Sequence, residues 1–140
     1  MLSSNLIATF YYKALNNWVT GWVEWNMALD MTGGPRWNSK QGFGGPVYID
    51  PKAGEAYKQP TFYTIGHFSK FIPPKSVRIE HKVDKEIVGL SVLTILRPDN
   101  ATVVVALNAN NEEIELNIND SKSYLSHKLS PRSIQSYIWW

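Results

Sequence analysis

The stretch Trp18-Val-Thr-Gly-Trp-Val-Glu-Trp25 decides the expected fold, because it is apolar with few interruptions. A half-exposed strand alternates apolar and polar residues, whereas a strand covered on both faces, as in a parallel sheet or barrel, reads as a continuous apolar run. We therefore predict that residues 18–25 form a strand that is buried on both faces and surrounded by helices.

A long loop and a helix are expected after this strand. The loop covers about residues 27–46 and contains two Gly-Gly-Pro triplets. Loops of this length inside a compact domain are usually functional. A short apolar, hairpin-like piece at residues 47–50 comes next. The helix is predicted from residue 59 or 60 to about residue 72, because Pro60 suits a first helical turn and Pro73 cannot continue the helix.

The sequence changes character at Pro73-Pro74, which marks a predicted domain boundary. Beyond it, short β-type runs alternate with polar turns at a spacing of roughly 10 to 12 residues, which suits an antiparallel sandwich. We therefore divide the chain into residues 1–74, with the strand, loop and helix of one βα unit, and a β-sandwich domain of residues 75–140. The predicted strands are residues 77–83, 88–96, 102–109, 113–119, 123–129 and 133–140.

The composition is that of a folding sequence, with 44% hydrophobic and 19% charged residues. A length of 140 residues suits one ordinary domain, or part of one with a small second domain, and not a complete large enzyme. The net charge of +2 comes without a cluster of Lys and Arg, which argues against nucleic acid as a partner. The absence of cysteine excludes a cysteine nucleophile and a thiolate metal site.

The polar residues contain no complete catalytic or cofactor motif. His67, His81 and His127 lie on a predicted helix and two predicted strands, without the spacing of metal ligands. Neither a phosphate loop, nor a dinucleotide fingerprint, nor a Gly-x-Ser-x-Gly elbow occurs. We therefore expect no metal and no cofactor.

Glu24 is the one acid inside the predicted buried strand, and a buried carboxylate needs a basic partner or a shifted pKa. Neighbouring side chains on a strand point to opposite faces, so Glu24 and Trp25 should not face one cavity. Two interpretations of Glu24 remain open: a structural acid that anchors the long loop, or a direct ligand contact.

Trp25 stands at the end of the predicted strand, directly before the long loop, where binding residues concentrate. Indole faces stack on the apolar faces of sugars. Trp25 is therefore either a core residue or a ligand contact, whereas Trp22 is expected to pack in the core. Trp37 and Phe43, within the loop, are weaker candidates for contact with a ligand or a membrane.

Three segments, in this order and spacing, resemble the C-terminal part of the glucosylceramidases of glycoside hydrolase family 30. The resemblance covers about residue 16 to the end and implies a fragment: the last βα unit of a (β/α)8 barrel, with strand 8, its loop and helix 8, followed by an antiparallel β-sandwich. Residues 1–15 depart from the family's strand 7 and helix 7. The segments are Val19-Thr-Gly-Trp-Val-Glu-Trp-Asn-Met-Ala-Leu-Asp30, Gly33-Gly-Pro-Arg-Trp37 and Tyr57-Lys-Gln-Pro-Thr-Phe-Tyr-Thr-Ile-Gly-His-Phe-Ser-Lys-Phe-Ile-Pro73.

The resemblance implies retaining hydrolysis of the β-glucosidic bond of glucosylceramide by two glutamates. Both family glutamates lie upstream of residue 1, so no catalytic residue is expected in this chain and the chain alone should be inactive. Trp25 matches a residue that lines the family's glucose pocket, and Asn26 follows it as in the family. Gln41 and Trp37 are weaker substrate-binding candidates, and Glu24 takes a position that is usually an aspartate.

The resemblance also implies partners and a location. The partners are glucosylceramide or another β-glucoside, a saposin-type activator and an anionic lipid surface. The location is the lysosome or the secretory pathway for the full-length parent, whose signal peptide is absent from this chain. Asn100-Ala-Thr102 and Asn119-Asp-Ser121 are sequons for N-glycosylation at exposed places.

A second function, from another class, is a non-catalytic module in which the sandwich alone binds carbohydrate or a lipid surface. The density of motifs in residues 18–73 favours the enzyme fragment, because a free sandwich has no use for a barrel strand and its helix.

Overall fold

A computed structural model of the chain describes residues 4–36 and 44–140. Two helices and nine strands are assigned within these ranges. In chain order they are α1 (Ser4–Asn16), β1 (Ala28–Asp30), β2 (Val47–Asp50), β3 (Glu55–Lys58), α2 (Pro60–Ser69), β4 (Val77–Arg78), β5 (Leu90–Leu96), β6 (Thr102–Asn108), β7 (Ile114–Asn119), β8 (Tyr124–Leu129) and β9 (Ser133–Trp139).

Residues 18–25 do not form the predicted buried strand. No strand of the described ranges pairs with them, and Val23 is 98% exposed. The prediction is wrong because an apolar run favours burial, but a strand also needs a neighbouring backbone to satisfy its N–H and C=O groups. Trp22 is the residue of this segment that packs against the core.

The long loop is shorter than expected, because its first residues form β1. This strand lies parallel to β2, with Ala28 opposite Val47, and β2 pairs with β3 in an antiparallel hairpin. The hairpin-like piece predicted at residues 47–50 is β2 and is confirmed. A small three-stranded sheet therefore leads into α2.

α2 begins at Pro60, as predicted, and ends at Ser69, three residues before the predicted end. Lys70 caps the helix through its backbone N–H, which donates to the carbonyl of Gly66. One further backbone bond, from Ile72 to Phe68 at 3.0 Å, continues the turn up to Pro73. The helix presents Phe68 to the core, where this ring is fully buried.

The predicted antiparallel strands after residue 75 are confirmed with one exception. β4, β5, β6 and β9 form a four-stranded antiparallel sheet in that order, and β7 pairs with β8 in a two-stranded ribbon. The exception is the strand predicted at residues 77–83, of which only Val77–Arg78 joins the sheet. Residues 80–86 are mostly charged, so they have little apolar surface to bury.

β6 is buried on both faces and separates two cores. Its side chains alternate between them, as they must on a strand. We call the core on one face the helix-side core; it contains Ala8, Tyr11 and Tyr12 of α1, Phe68 of α2, and Leu93, Ile95, Val103, Val105 and Leu107 of the sheet. The other, the ribbon-side core, contains Ala106, Ile114, Leu116 and Leu129.

α1 was not predicted from the sequence, although one of its faces is apolar. Ala8, Tyr11, Tyr12 and Leu15 follow the i, i+3, i+4, i+7 spacing of a helix that buries one stripe. Within the described ranges, neither helix is long and apolar enough to cross a bilayer.

Asn108, at the end of β6, is fully buried and ties β6 to the end of β8. Its Nδ2 donates to the carbonyls of Glu112 at 2.8 Å, Leu129 at 3.2 Å and Ser130 at 3.1 Å. Its Oδ1 accepts from the backbone N–H of Asn110 at 2.9 Å. One buried amide therefore satisfies four backbone groups where the sheet and the ribbon meet.

We expect Asn108→Ala to loosen this junction, because a buried acceptor left without its donor costs about 1–3 kcal/mol. Hydrogen–deuterium exchange should show faster exchange of the backbone amides in β6 and β8. The matched control is Asn117→Ala on the exposed face of β7, which removes only an exposed side-chain hydrogen bond from Tyr124 and should leave these rates close to those of the unmodified protein. Unchanged protection in Asn108→Ala would contradict the proposed tie.

Candidate functional site

A groove of about 730 Å³ lies between residues 20–27 and one face of α2. We call it the tryptophan groove. Its walls are mostly apolar and aromatic, with a carboxylate on one side, which is the usual composition of a small-molecule site. The side chains that define it are Trp22, Glu24 and Trp25 on one wall and Phe62, Ile65 and Phe68 on the other.

Trp22 and Trp25 take different roles in this groove. The Trp22 ring stacks on Tyr11, with centroids 4.2 Å apart and an interplanar angle of 19°, and meets Phe68 edge-on at 5.8 Å. Trp22 is thus part of the packing around the helix-side core, which confirms the prediction. Trp25 is 45% exposed and lines the groove.

Glu24 is exposed, so the expectation of a buried carboxylate is wrong. Its Oε1 accepts a hydrogen bond from the hydroxyl of Tyr11, a fully buried residue of α1, and neither salt bridge found among the described residues involves Glu24. Burial raises the pKa of Tyr11 above its ordinary value, and the hydrogen bond to Glu24 raises it further. Tyr11 therefore stays a protonated donor at physiological pH.

Glu24 and Trp25 line the same groove, which the strand alternation rule did not allow. The rule fails here because residues 18–25 are not held in a ladder, so successive side chains need not point to opposite faces. Within the described residues, Asp30 is the acid that anchors the start of the loop.

Asp30, at the end of β1, holds the start of the loop. Its Oδ1 accepts from the backbone N–H of Thr32 at 2.7 Å, the hydroxyl of Thr32 at 2.6 Å and the N–H of Gly34 at 3.0 Å. These bonds lower the pKa of the Asp30 carboxyl, and the bond from the Thr32 hydroxyl has the largest effect. A Cβ at Gly34 would lie 2.7 Å from the Asp30 carboxylate, so a larger residue there would displace this carboxylate. The pattern Asp-x-Thr-Gly-Gly, an Asx turn, was the available signal.

Of the other substrate-binding candidates, Asn26 is the one in the described part of the chain. Asn26 is exposed and is not among the described residues that line it. Trp37, Gln41 and Phe43 lie outside the described residues. Of the described lining residues, Glu24 alone carries a carboxylate.

The histidines occupy separate places. Nδ1 of His67 lies 2.9 Å from Oγ of Ser136 on β9, and Nδ1 of His81 lies 3.2 Å from Oγ1 of Thr94 on β5. Burial lowers the pKa of both imidazoles. Across the described part of the chain, acidic and histidine side chains do not gather in threes as a metal ion requires.

The asparagines of both sequons are exposed. Asn100 lies in the turn between β5 and β6 with φ of 63°, a left-handed conformation that asparagine tolerates. Asn119 ends β7, and its Oδ1 accepts from the backbone N–H of Ser121 at 2.9 Å. The side-chain amides of both residues are thus placed at the surface.

Two domains of one family match almost the whole chain. Residues 5–72 match the glycosyl hydrolase family 30 TIM-barrel domain, and residues 75–137 match the glycosyl hydrolase family 30 beta sandwich domain. The expected fold class, the C-terminal portion of a TIM barrel followed by a β-sandwich, is confirmed. Because the first match begins at residue 5, the expected departure of residues 1–15 from the family is wrong from that residue onward.

The chain is similar to glucosylceramidases over most of its length. It is 43% identical to the lysosomal acid glucosylceramidase of Mus musculus over 122 residues, which are 86% of this chain and 23% of that protein. Identity to putative glucosylceramidase 3 of Caenorhabditis elegans is 36% over 126 residues, 89% of this chain and 24% of that protein. The chain thus spans about a quarter of the length of these relatives.

Solved structures share the same architecture. The endo-beta1,6-glucanase BT3312 superposes with a TM-score of 0.82 at 25% identity, over 91% of this chain and 29% of that one. SrfJ from Salmonella typhimurium, at 20% identity, gives a TM-score of 0.83 over 99% of this chain and 31% of that one, a likeness of fold alone. Because domain order, fold and sequence identity agree, the chain belongs to glycoside hydrolase family 30.

Proposed function

We propose that this chain is the C-terminal part of a retaining β-glucosidase that hydrolyses glucosylceramide to glucose and ceramide. The observation that carries the proposal is the tryptophan groove, in which the half-exposed indole of Trp25 stands on a wall backed by α2. An indole face presented in this way can stack on the apolar face of a glucose ring. The similarity to the mouse lysosomal glucosylceramidase supports the choice of substrate.

The chain contributes binding and not bond cleavage in this proposal. Retaining hydrolysis needs two carboxyl groups roughly 5 to 5.5 Å apart across the scissile bond. Glu24 is the single carboxylate among the described groove residues, and the Tyr11 hydroxyl already occupies it. We therefore assign both catalytic glutamates to the remainder of the parent enzyme, and keep Asn26, Gln41 and Trp37 as further substrate contacts.

We further propose that residues 1–74 belong to the catalytic barrel and residues 75–140 to the sandwich. The two family matches meet between residues 72 and 75, which supports this division. Since α1 and α2 share the helix-side core with the sheet, the sandwich acts as a support for the barrel helices. The shared core argues against the alternative function, in which the sandwich alone binds carbohydrate or lipid. Without α1 and α2, one apolar face of the sheet would be exposed to solvent.

For the parent enzyme we propose the lysosome as the location, with a saposin-type activator and an anionic lipid surface as partners. The name of the mouse relative supports the location. The substrate's ceramide part is held in a membrane, so the enzyme has to meet a lipid surface to reach it.

In the parent enzyme, Trp22→Ala and Trp25→Ala should separate stability from binding. Trp22→Ala removes a packed ring and should cost on the order of 3–5 kcal/mol of unfolding free energy. Trp25→Ala should leave the melting temperature nearly unchanged and raise the KM for a β-glucoside, because it removes a stacking surface. Thermal unfolding and steady-state kinetics measure the two effects. Equal melting temperatures for Trp22→Ala and wild type, or unchanged kinetics in Trp25→Ala, would contradict this assignment.

Expressed alone, residues 1–140 should be inactive on glucosylceramide and prone to associate. Trp18, Val23 and Met27 are exposed apolar side chains on one segment, and clustered exposed apolar surface promotes association. Light scattering and a fluorogenic β-glucoside assay at acidic pH are the measurements. A soluble monomer that turns over substrate, and loses that turnover in Glu24→Gln, would overturn the proposal that the catalytic glutamates lie elsewhere.

Asn100 should carry an N-linked glycan when the parent enzyme passes through the secretory pathway. The residue is exposed in the turn between β5 and β6, where a glycan can extend into solvent. Peptide mapping by mass spectrometry before and after enzymatic deglycosylation gives the occupancy, and Asn100→Gln is the control that abolishes the modification. Material from lysosomes or secretions with Asn100 unmodified throughout would refute this prediction.

A further inference from the structure

We propose that His67 and Ser136 form a pH-sensitive contact between α2 and the sandwich, which weakens as the pH falls from neutral to acidic. The inference goes beyond the proposed function, because it concerns how two parts of the chain are joined and needs no substrate. His67 lies in the match to the TIM-barrel domain and Ser136 in the match to the beta sandwich domain, so the contact joins the two.

Ser136 is a polar residue on an apolar face of the sheet. On β9, Ile134 packs against the helix-side core and Tyr137 against the ribbon-side core, so strand alternation turns Ser136 toward the helices. Its partner on β6 is Val105, a fully buried member of the helix-side core. A hydroxyl placed among apolar side chains needs a hydrogen-bond partner.

His67 supplies this partner. It precedes Phe68 on α2, whose ring is buried in the same core. Nδ1 of His67 lies 2.9 Å from Oγ of Ser136. A neutral imidazole either accepts or donates at Nδ1, whereas the imidazolium donates at both nitrogens. The hydrogen bond is therefore compatible with both protonation states, and what protonation adds is a charge at a half-buried place.

No acid pairs with His67 among the described residues, since neither salt bridge found there includes it. Glu55 of β3 is exposed and accepts a hydrogen bond from Tyr57, Lys13 is exposed on α1, and Lys70 lines the tryptophan groove. The groups that α2 and the elements packed against it direct to this side are tyrosines and bases. They are Tyr11, Tyr12, Lys58, Tyr63 and Arg132.

Protonation of His67 therefore opposes folding. Burial lowers the pKa of His67 below its ordinary value. The unfolded chain then binds the proton more readily than the folded protein does. The contribution of His67 to stability is complete above the ordinary pKa of about 6.5 and is lost as the pH falls through the lowered pKa.

Two other side-chain hydrogen bonds found in the described ranges cross the same interface without changing charge in this pH range. Nδ2 of Asn16 donates to the carbonyl of Val92 at 3.2 Å, and Nη1 of Arg97 donates to the carbonyl of Phe71 at 3.4 Å. The amide is neutral and the guanidinium stays charged. Among these three contacts, the histidine is thus the one that titrates between neutral and mildly acidic pH.

The parent enzyme is the molecule in which this contact has to be tested. Parts of the parent beyond this chain can cover His67 further, but they do not remove the burial that α2 and β9 already give it. Additional burial would lower its pKa more, whereas an acid from those parts would raise it.

The first measurement is the pKa of His67 in the unmodified parent, from the pH dependence of imidazole C2-hydrogen exchange followed by mass spectrometry of the peptide that contains it. We expect a value below the ordinary value of about 6.5. A value at or above the ordinary one would overturn the proposal. This readout does not depend on whether any variant folds.

The second measurement is backbone hydrogen–deuterium exchange of α2 and β9, corrected for the intrinsic effect of pH, at about pH 7.5 and about pH 5.0, on either side of the ordinary histidine pKa. In the unmodified parent we expect protection to fall at least about two-fold at the acidic pH. His67→Asn places an uncharged amide where Nδ1 lies, so this loss should disappear.

His81→Asn is the matched control. Nδ1 of His81 lies 3.2 Å from Oγ1 of Thr94, and burial lowers its pKa too, but both residues belong to the sandwich match. This variant should keep the acid-induced loss of protection in α2. Ser136→Ala removes the hydrogen bond and leaves the imidazole, so it should lower protection at both pH values and keep the loss on acidification.

The outcomes are independent of β-glucosidase activity, so this inference and the proposed function fail separately. Protection of α2 that does not change with pH in the unmodified parent would overturn the inference. The same holds if His67→Asn folds and keeps the acid-induced loss, or if His81→Asn abolishes it in α2. A lowered pKa together with a loss that His67→Asn alone removes supports the pH-sensitive contact.

Discussion

The burial of β6 on both of its faces is the constraint on which the rest of the structure depends. Each fully buried Val or Leu side chain contributes roughly 1.5–3 kcal/mol relative to exposure, and β6 offers such residues to both sides. Covering one face requires α1 and α2, and covering the other requires the β7–β8 ribbon. The helices α1 and α2 and the β7–β8 ribbon therefore pack on opposite faces of one strand, although the helices and the strands match different domains of the family.

From this strand a chain of aromatic contacts leads to the candidate site. Phe68 lies in the helix-side core and touches Tyr11 and Trp22, and both of these support the segment that ends at Trp25. The wall of the groove is thus an extension of the core and not a free loop. Within the described ranges, this packing supports the segment that ends at Trp25.

The composition of the groove can be compared with how (β/α)8 barrels build their active sites. Active sites of (β/α)8 enzymes collect side chains from the ends of several strands, so one βα unit contributes a part of the site. Here the part is apolar and aromatic, and Glu24, the one carboxylate among the described lining residues, accepts a hydrogen bond from Tyr11. This composition supports the proposal that the chain binds the sugar, whereas residues on other strands hydrolyse the glucosidic bond.

The sequence by itself determined the features that depend on local residue patterns. Alternation and turn residues located five of the six strands after residue 75, Pro60 located the start of α2, and apolar character placed Trp22 in the core. The tertiary structure alone decided the conformation of residues 18–25, because a strand exists only where a second backbone pairs with it. It also decided the partner of Glu24, since the Tyr11 hydroxyl lies 13 residues away on another element and no local pattern encodes that distance.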